Sequence, residues 1–278
     1  MDKLLLVDGM NLLFQMYYGM PARILNSRGV PIHGVIGFVG ALLKILRMVQ
    51  PTHVAVLFDG ECANPKTTLD DQYKANRPDL SDQEETPFDQ LPPIYAALSL
   101  MGIYHQETTD CEADDWIAAY ALTCGKTADV VIASQDSDFF QLINDRVQVL
   151  RYRGNNTQLC DREYILLKLG IEPEQYADHK ALTGDSADNI RGAEKIGPKT
   201  ATALLQQFGT LENIIQKAQD IPKPSVRQSV QANAARLRLN QLLIRLDGSA
   251  QLPAPLWQLS YEDTGLTTTQ ILQLTGIR

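Results

Sequence analysis

Cysteine is scarce: the 278 residues hold four, Cys62, Cys111, Cys124 and Cys160. They form no CxxC pair and have no histidine pattern beside them, which argues against a disulfide framework or a zinc site. Long apolar runs are missing as well. Stretches such as Val54 to Phe58 are far too short to span a bilayer, and Asp8 cuts off the run Leu4 to Val7 before it could serve as a signal peptide. The expected compartment is therefore cytoplasmic, with no membrane partner. Positive charge is also in deficit: 25 Lys and Arg face 33 Asp and Glu, a net charge of −8, which taken alone speaks against a polyanionic partner. No internal repeat is visible. What is present is an ordinary globular composition, 44% hydrophobic and 21% charged, in a chain long enough for one large domain or two modest ones.

The acids are not scattered. Residues 3 to 7, KLLLV, form an apolar run of strand length that ends at Asp8 and Gly9, and Met10 to Tyr18 reads as the start of a buried helix. Val35 to Val49 carries apolar residues at helical spacing and stops at Gln50-Pro51, and His53 to Phe58 is a second buried strand, ending in Asp59. Strand, helix, strand in this order implies a parallel crossover that places both acids on one edge of the sheet. Val130 to Ala133 reads as a third strand. It ends in Asp136 and Asp138, just before an apolar run that looks like a helix start, and Val147 to Tyr152 is a further strand with no terminal acid. In open parallel sheets ligands sit in the crevice at the carboxyl ends of the strands, so acids beyond several such ends converge.

Other segments add to this set. Glu112, Asp114 and Asp115 open an apolar-periodic helix through Trp116 and Tyr120. Acids in a helix's first turn complement its dipole, but three in four positions repel one another unless a cation intervenes. Asp185 and Asp188 follow a helix at Ala177 to Leu182. Gly60 to Pro93 is polar and proline-rich, the kind of long loop that is usually functional or disordered. Within it, Tyr73, Lys74 and Arg77 form an aromatic and basic island that could equally be a solvated surface pair. Gly197-Pro198-Lys199-Thr200 introduces an amphipathic helix whose exposed N–H groups could cradle a phosphate without reading bases. Arg227, Arg236, Arg238 and Arg245 decorate a helical stretch as either a solvated face or part of a phosphate track. In the tail, Trp257 is expected to pack.

The nine carboxylates Asp8, Asp59, Glu112, Asp114, Asp115, Asp136, Asp138, Asp185 and Asp188 cannot all stay ionised in one crevice without cations. The clusters hold no histidine or cysteine, and an all-oxygen set favours hard ions such as Mg²⁺ or Mn²⁺. Setting the nine aside turns the net charge of −8 into +1, so the acidic balance no longer excludes DNA. A carboxylate cage for two ions, typically about 3.5–4 Å apart, is the apparatus of phosphodiester cleavage. Asp8, Glu112, Asp114, Asp136, Asp138 and Asp188 are the expected direct or near-direct ligands, with Asp59, Asp115 and Asp185 in support. Asp136 and Asp138, joined by Asp188, are expected to hold the second ion.

The VDG opening, FD after the second strand, YKANR, EADD, DSDFFQL, GDSADNI and KIGPKTA, in this order, resemble the bacterial 5′-nucleases. This is the flap endonuclease and 5′ to 3′ exonuclease family whose fold also forms the N-terminal domain of DNA polymerase I. The resemblance covers residues 3 to about 245. It implies an α/β fold, a PIN-like core with a mostly parallel central sheet flanked by helices and a helical helix-hairpin-helix type region for DNA. The implied division is a nuclease core at 1–177, with an arch at about 60–93, a helical DNA-binding region with a helix-three-turn-helix motif at 178–246, and a tail at 247–278 packing on the core. The chain ends without a polymerase, so a stand-alone monomer is expected.

The implied substrate is branched or nicked duplex DNA with a free 5′ end or flap, including RNA primers of lagging-strand fragments. Two Mg²⁺ or Mn²⁺ would serve catalysis, Lys74 and Arg77 would position and polarise the scissile phosphate, and the region from Gly192 would grip the duplex, often with a bound K⁺. Tyr73, Lys66, Gly192, Ile196, Gly197, Lys199 and Thr200 are the implied DNA contacts. Five positions depart from the family pattern: Gln15 for an arginine, Pro65-Lys66 for Phe-Arg, Ser137 for a basic residue and Arg191 for proline. A haloacid-dehalogenase phosphatase would need a second aspartate where Met10 stands, and a dinucleotide-binding domain needs a glycine-rich turn that DGMNLL does not supply. The remaining rival, a non-catalytic DNA-structure binder on the same fold, predicts gaps in the acid set, and there are none.

Overall fold

The structure, a computed structural model, describes residues 2–60, 65–77, 84–109 and 111–277. Cys62, Asp110 and parts of the expected arch lie outside the described residues. The chain begins with β1 (Lys3–Asp8), α1 (Gly9–Gly19), α2 (His33–Val49) and β2 (His53–Phe58). It continues through α3 (Leu91–Leu100), β3 (Tyr104–Glu107), α4 (Ala113–Cys124), β4 (Asp129–Ala133), β5 (Val147–Arg151) and β6 (Gln158–Cys160). The helical part comprises α5 (Arg162–Leu169) and α6 (Tyr176–Thr183), the short ribbon β7 (Gly184–Asp185) and β8 (Ile190–Arg191), then α7 (Pro198–Phe208), α8 (Leu211–Gln216), α9 (Pro224–Ala232) and α10 (Ala234–Ile244), with α11 (Thr268–Leu274) near the end.

The apolar runs form strands because both faces of the sheet are covered, so that neither face needs polar residues. Along β1, Leu4 and Leu6 point into one core while Leu5 and Val7 point into the other. The same alternation holds for Val130 and Ile132 against Val131 and Ala133 in β4, as the two-residue period of a strand requires. The order is β3-β2-β1-β4-β5-β6. Pairing is parallel from β3 through β5, and only the β5–β6 pair is antiparallel. The chain leaves β1 toward β3 and then returns to place β4 on the other side of β1, which makes the carboxyl ends of β1 and β4 the switch point where a ligand crevice opens.

One strand has no counterpart in the sequence reading, and two readings need correction. β3, with the sequence YHQE, carries no apolar run, because it is a half-exposed edge strand. The apolar stretch after Asp138 is a single 3-10 turn, Asp138–Leu142, and not a longer helix. Trp257 does not pack: it is 71% exposed, and the tail is held instead by Ile271 and Leu272 of α11, which enter the core that contains α2. Among the described residues no helix is long and apolar enough to cross a membrane.

Within the helical part, a buried polar peg ties α10 to α6 and to the β7–β8 ribbon. Asn240 of α10 is fully buried and donates to the carbonyls of Ala181 and Arg191 at 3.1 and 2.8 Å. The β7–β8 ribbon also needs a bare backbone at Gly192, where a Cβ would stand 2.2 Å from the carbonyl carbon of Thr183.

Candidate active site

Three strand ends and the first turn of α4 deliver four carboxylates to one cavity. Asp8 closes β1 and accepts from the N–H of Asn11 at 3.0 Å, capping α1. Asp59 follows β2 and accepts from the N–H of Ala113 at 2.8 Å, which fixes the start of α4 and therefore the position of Asp114. After β4, the Ser134 hydroxyl donates to Asp8 at 2.8 Å and accepts from the N–H of Asp136 at 3.0 Å. A cavity of about 760 Å³ is lined by Asp8, Asp59, Asp114 and Asp136 together with Lys74 and Arg77. Burial, with the charges of Asp59 and Asp136 added and hydrogen bonds from Asn11 and Ser134 opposing, pushes the Asp8 carboxyl up to about 7. Asp114 is raised well above the ordinary range by burial and then by Asp8, Asp136 and Asp59.

A second group lies beside the first. Asp138, Asp185 and Asp188 each bring a carboxylate oxygen within 4.8 Å of the others. Asp185, expected only in support, stands as a full member, whereas Asp136 faces the first group and reaches the second through the N–H of Asp138, which donates to it at 2.8 Å. Burial pushes Asp138 up to about 7 against the opposing charge of Lys180. The ammonium of Lys180, one turn into α6, pairs with both Asp138 and Asp185. Lys180 was not singled out from the sequence because a lone lysine in YADHKALT has no distinguishing pattern. Ser134 and Asn11 were missed likewise, since their roles depend on which strands are neighbours.

The remaining candidates sort by burial. Glu112 is paired with Lys74 and lies 3.5 Å from Lys66. Burial raises its carboxyl, but the charge and hydrogen bond of Lys74, with the charges of Lys66 and Arg77 added, together outweigh burial and hold it below the ordinary range. Lys66, expected on DNA, therefore faces this carboxylate. Asp115 is buried away from the cavity and accepts from the N–H of Asp247 at 2.9 Å. Arg77 pairs with Asp188 at 3.1 Å. Tyr73 and Ile196, both 5% exposed, sit in the core and not at a DNA surface. The Tyr73 ring lies under the Lys74 ammonium, 4.9 Å from its centroid. Gly197 and Lys199 are exposed at the start of α7, with Thr200 partly so. The unusual Gln15 donates to the carbonyl of Tyr152 at 2.7 Å. Three of the four arginines on the helical stretch have partners: Arg236 with Asp70, Arg238 with Glu212 and Arg227 with the Gln219 carbonyl.

Residues 3–170 match the family described as 5′-3′ exonuclease, N-terminal resolvase-like domain, and residues 171–265 match 5′-3′ exonuclease, C-terminal SAM fold. The chain belongs to the 5′-3′ exonuclease family. DNA polymerase I of Rhizobium leguminosarum is 37% identical over 253 residues, 88% of this chain and 24% of that protein. The thermostable DNA polymerase I of Thermus thermophilus is 35% identical over 92% of this chain and 30% of its own length. This family member thus spans about a quarter to a third of the length of these relatives. A T5 flap endonuclease in a pseudo-enzyme-product complex with DNA and metal ions shares the fold, with a TM-score of 0.71 at 23% identity over 88% of this chain and 90% of the other.

The donor set of this family member fits hard divalent ions. All its members are carboxylates, and the burial that, with neighbouring carboxylates added, drives Asp8 and Asp138 toward neutrality is a cost that bound cations offset. The pH dependence follows in sign. An aspartate ordinarily titrates at 3.8, and these two are raised to about 7. Between those values the folded state holds protons that the unfolded chain releases, so their contribution to stability falls as pH rises from about 4 to about 7 and then levels off. Mg²⁺ added at pH 7.5 is expected to raise the melting temperature, and to raise it less at pH 5, where protons compete for the same oxygens. Scanning fluorimetry at both pH values checks this, and an equal or larger rise at pH 5 would contradict it.

Proposed function

We propose that this chain is a divalent-metal-dependent, structure-specific nuclease that hydrolyses DNA phosphodiesters at 5′ ends and 5′ flaps, acting in DNA replication and repair. The observation that carries the reading is the convergence of two carboxylate groups, Asp8 with Asp59, Asp114 and Asp136, and Asp138 with Asp185 and Asp188, beside two cationic side chains on one segment. Family membership and relatives that are DNA polymerases support the same reading. Each group would hold one Mg²⁺ or Mn²⁺, with Asp59 and Asp115 acting through the backbone N–H groups they accept from. A bound pair supplies Lewis acidity and an activated water for in-line displacement.

The residues of the chain do the rest. Lys74 and Arg77, now held by Glu112 and Asp188, turn toward the scissile phosphate and orient it over the cavity. Glu112 keeps Lys74 charged. The exposed start of α7, at Gly197, Lys199 and Thr200, contacts the duplex backbone and leaves the bases unread. A K⁺ beside that turn, a monomeric state and a cytoplasmic location belong to the same proposal. The test is a duplex carrying a labelled 5′ flap, incubated with Mg²⁺, with Mn²⁺ and with EDTA. Cleavage at the flap junction that needs the metal supports the proposal. Tight binding without cleavage in either metal would leave a non-catalytic binder.

A further inference from the structure

The segment that carries Lys74 and Arg77 is a run of turns from Asp70 to Arg77 with no regular element of its own. It is nevertheless held in one place, and what holds it is the loop between β7 and β8, which follows Asp185 and carries Asp188. The Lys74 N–H donates to the carbonyl of Asp188 at 3.0 Å. In return the Asn189 side chain donates to the carbonyl of Gln72 at 2.8 Å. The Asn76 side chain donates to the carbonyl of Ser186 at 2.9 Å, and the Arg77 guanidinium meets the Asp188 carboxylate. Lys74 and Asn189 are both in the left-handed region, at φ 57° and 58°. That conformation is unfavourable for a lysine and well tolerated by asparagine.

A strained conformation persists only when its surroundings over-determine it. The geometry points to Asn189 as a positioning residue for Lys74. Its left-handed backbone aims the Asp188 carbonyl at the Lys74 N–H, its amide grips Gln72 two residues earlier, and together they set the height of the ammonium over the carboxylates. Arg236 of α10 adds a peg at the start of the segment through its 2.7 Å ion pair with Asp70. The cationic segment and the second carboxylate group are thereby one mechanical unit. The inference rests on the proposed role of Lys74 at the scissile phosphate.

The test uses Asn189→Gly, which keeps the left-handed backbone accessible and removes only the side-chain donor. Two readouts are taken. In hydrogen exchange on the metal-free full chain, the Lys74 amide is expected to exchange about tenfold faster in the variant than in the wild type. In cleavage of a 5′-flap duplex in Mg²⁺, kcat is expected to fall about five- to tenfold with KM within twofold. The same substitution made in Lys74→Ala is expected to change the residual rate less than twofold, because a residue that acts through Lys74 has nothing left to position. Unchanged exchange at Lys74, or an equal loss of rate in both backgrounds, overturns the positioning role. A Lys74→Ala protein that cleaves at the wild-type rate overturns instead the reading of Lys74 on which the inference rests.

Discussion

Asp136→Ala is expected to cut the rate of 5′-flap cleavage by about three orders of magnitude or more, in Mg²⁺ and in Mn²⁺ alike. The size follows from position. Asp136 lines the cavity with Asp8, Asp59 and Asp114 and accepts the N–H of Asp138, so its loss removes a carboxylate from the first group and loosens a member of the second. The fold should survive, since the side chain is only partly buried and removing it relieves repulsion on both Asp8 and Asp114. The expected signature is therefore an inactive protein with an unchanged or higher melting temperature when metal-free. Activity within tenfold of wild type would remove Asp136 from the machinery.

Lys74→Ala carries the second large effect, a loss of about a hundredfold in kcat with a change of less than about threefold in duplex affinity measured in EDTA. Lys74 is mostly buried and paired with Glu112. Burial and the Arg77 charge work to lower its pKa, but the charge and hydrogen bond of Glu112, with the Asp188 charge added, together outweigh them and keep the ammonium charged. One charge at the cavity contributes little to holding a duplex gripped elsewhere by α7, and much to a phosphate whose charge grows in the transition state. The substitution also leaves Glu112 with Lys66 as its nearer cation, 3.5 Å away. Parallel losses in rate and affinity would mean that Lys74 only binds.

The course of the chain explains what could be read in advance. Asp8 and Asp59 were legible because a continuous apolar run marks a strand buried on both faces, and the first polar residue after it must lie at the sheet's edge. The helix at Ala113–Cys124 and the one at Pro198–Phe208 were legible from apolar period and from Pro at the first position. The division of the acids into two groups was legible only in part: Asp138 and Asp188 fall together as expected, but Asp136 joins the first group and Asp185 the second, because the Asp138 turn faces α6 while Asp136 faces β1, and nothing in DSD distinguishes the two sides. Lys180 joins the second group only through the packing of α6 against that turn. Tyr73 and Ile196 were read as DNA contacts from their place in a motif, and a motif string carries no information on burial. The exposed Trp257 shows the same gap in the opposite direction.

The central claim is that two carboxylate groups each hold a divalent ion. Its most direct test is a crystal of the metal-free protein soaked in Mn²⁺ and measured for anomalous scattering. One peak among Asp8, Asp114 and Asp136 and a second among Asp138, Asp185 and Asp188, with the Lys180 ammonium displaced from its two partners, is the predicted result. A single peak, or a second group that keeps Lys180 and takes no ion at saturating Mn²⁺, would contradict it.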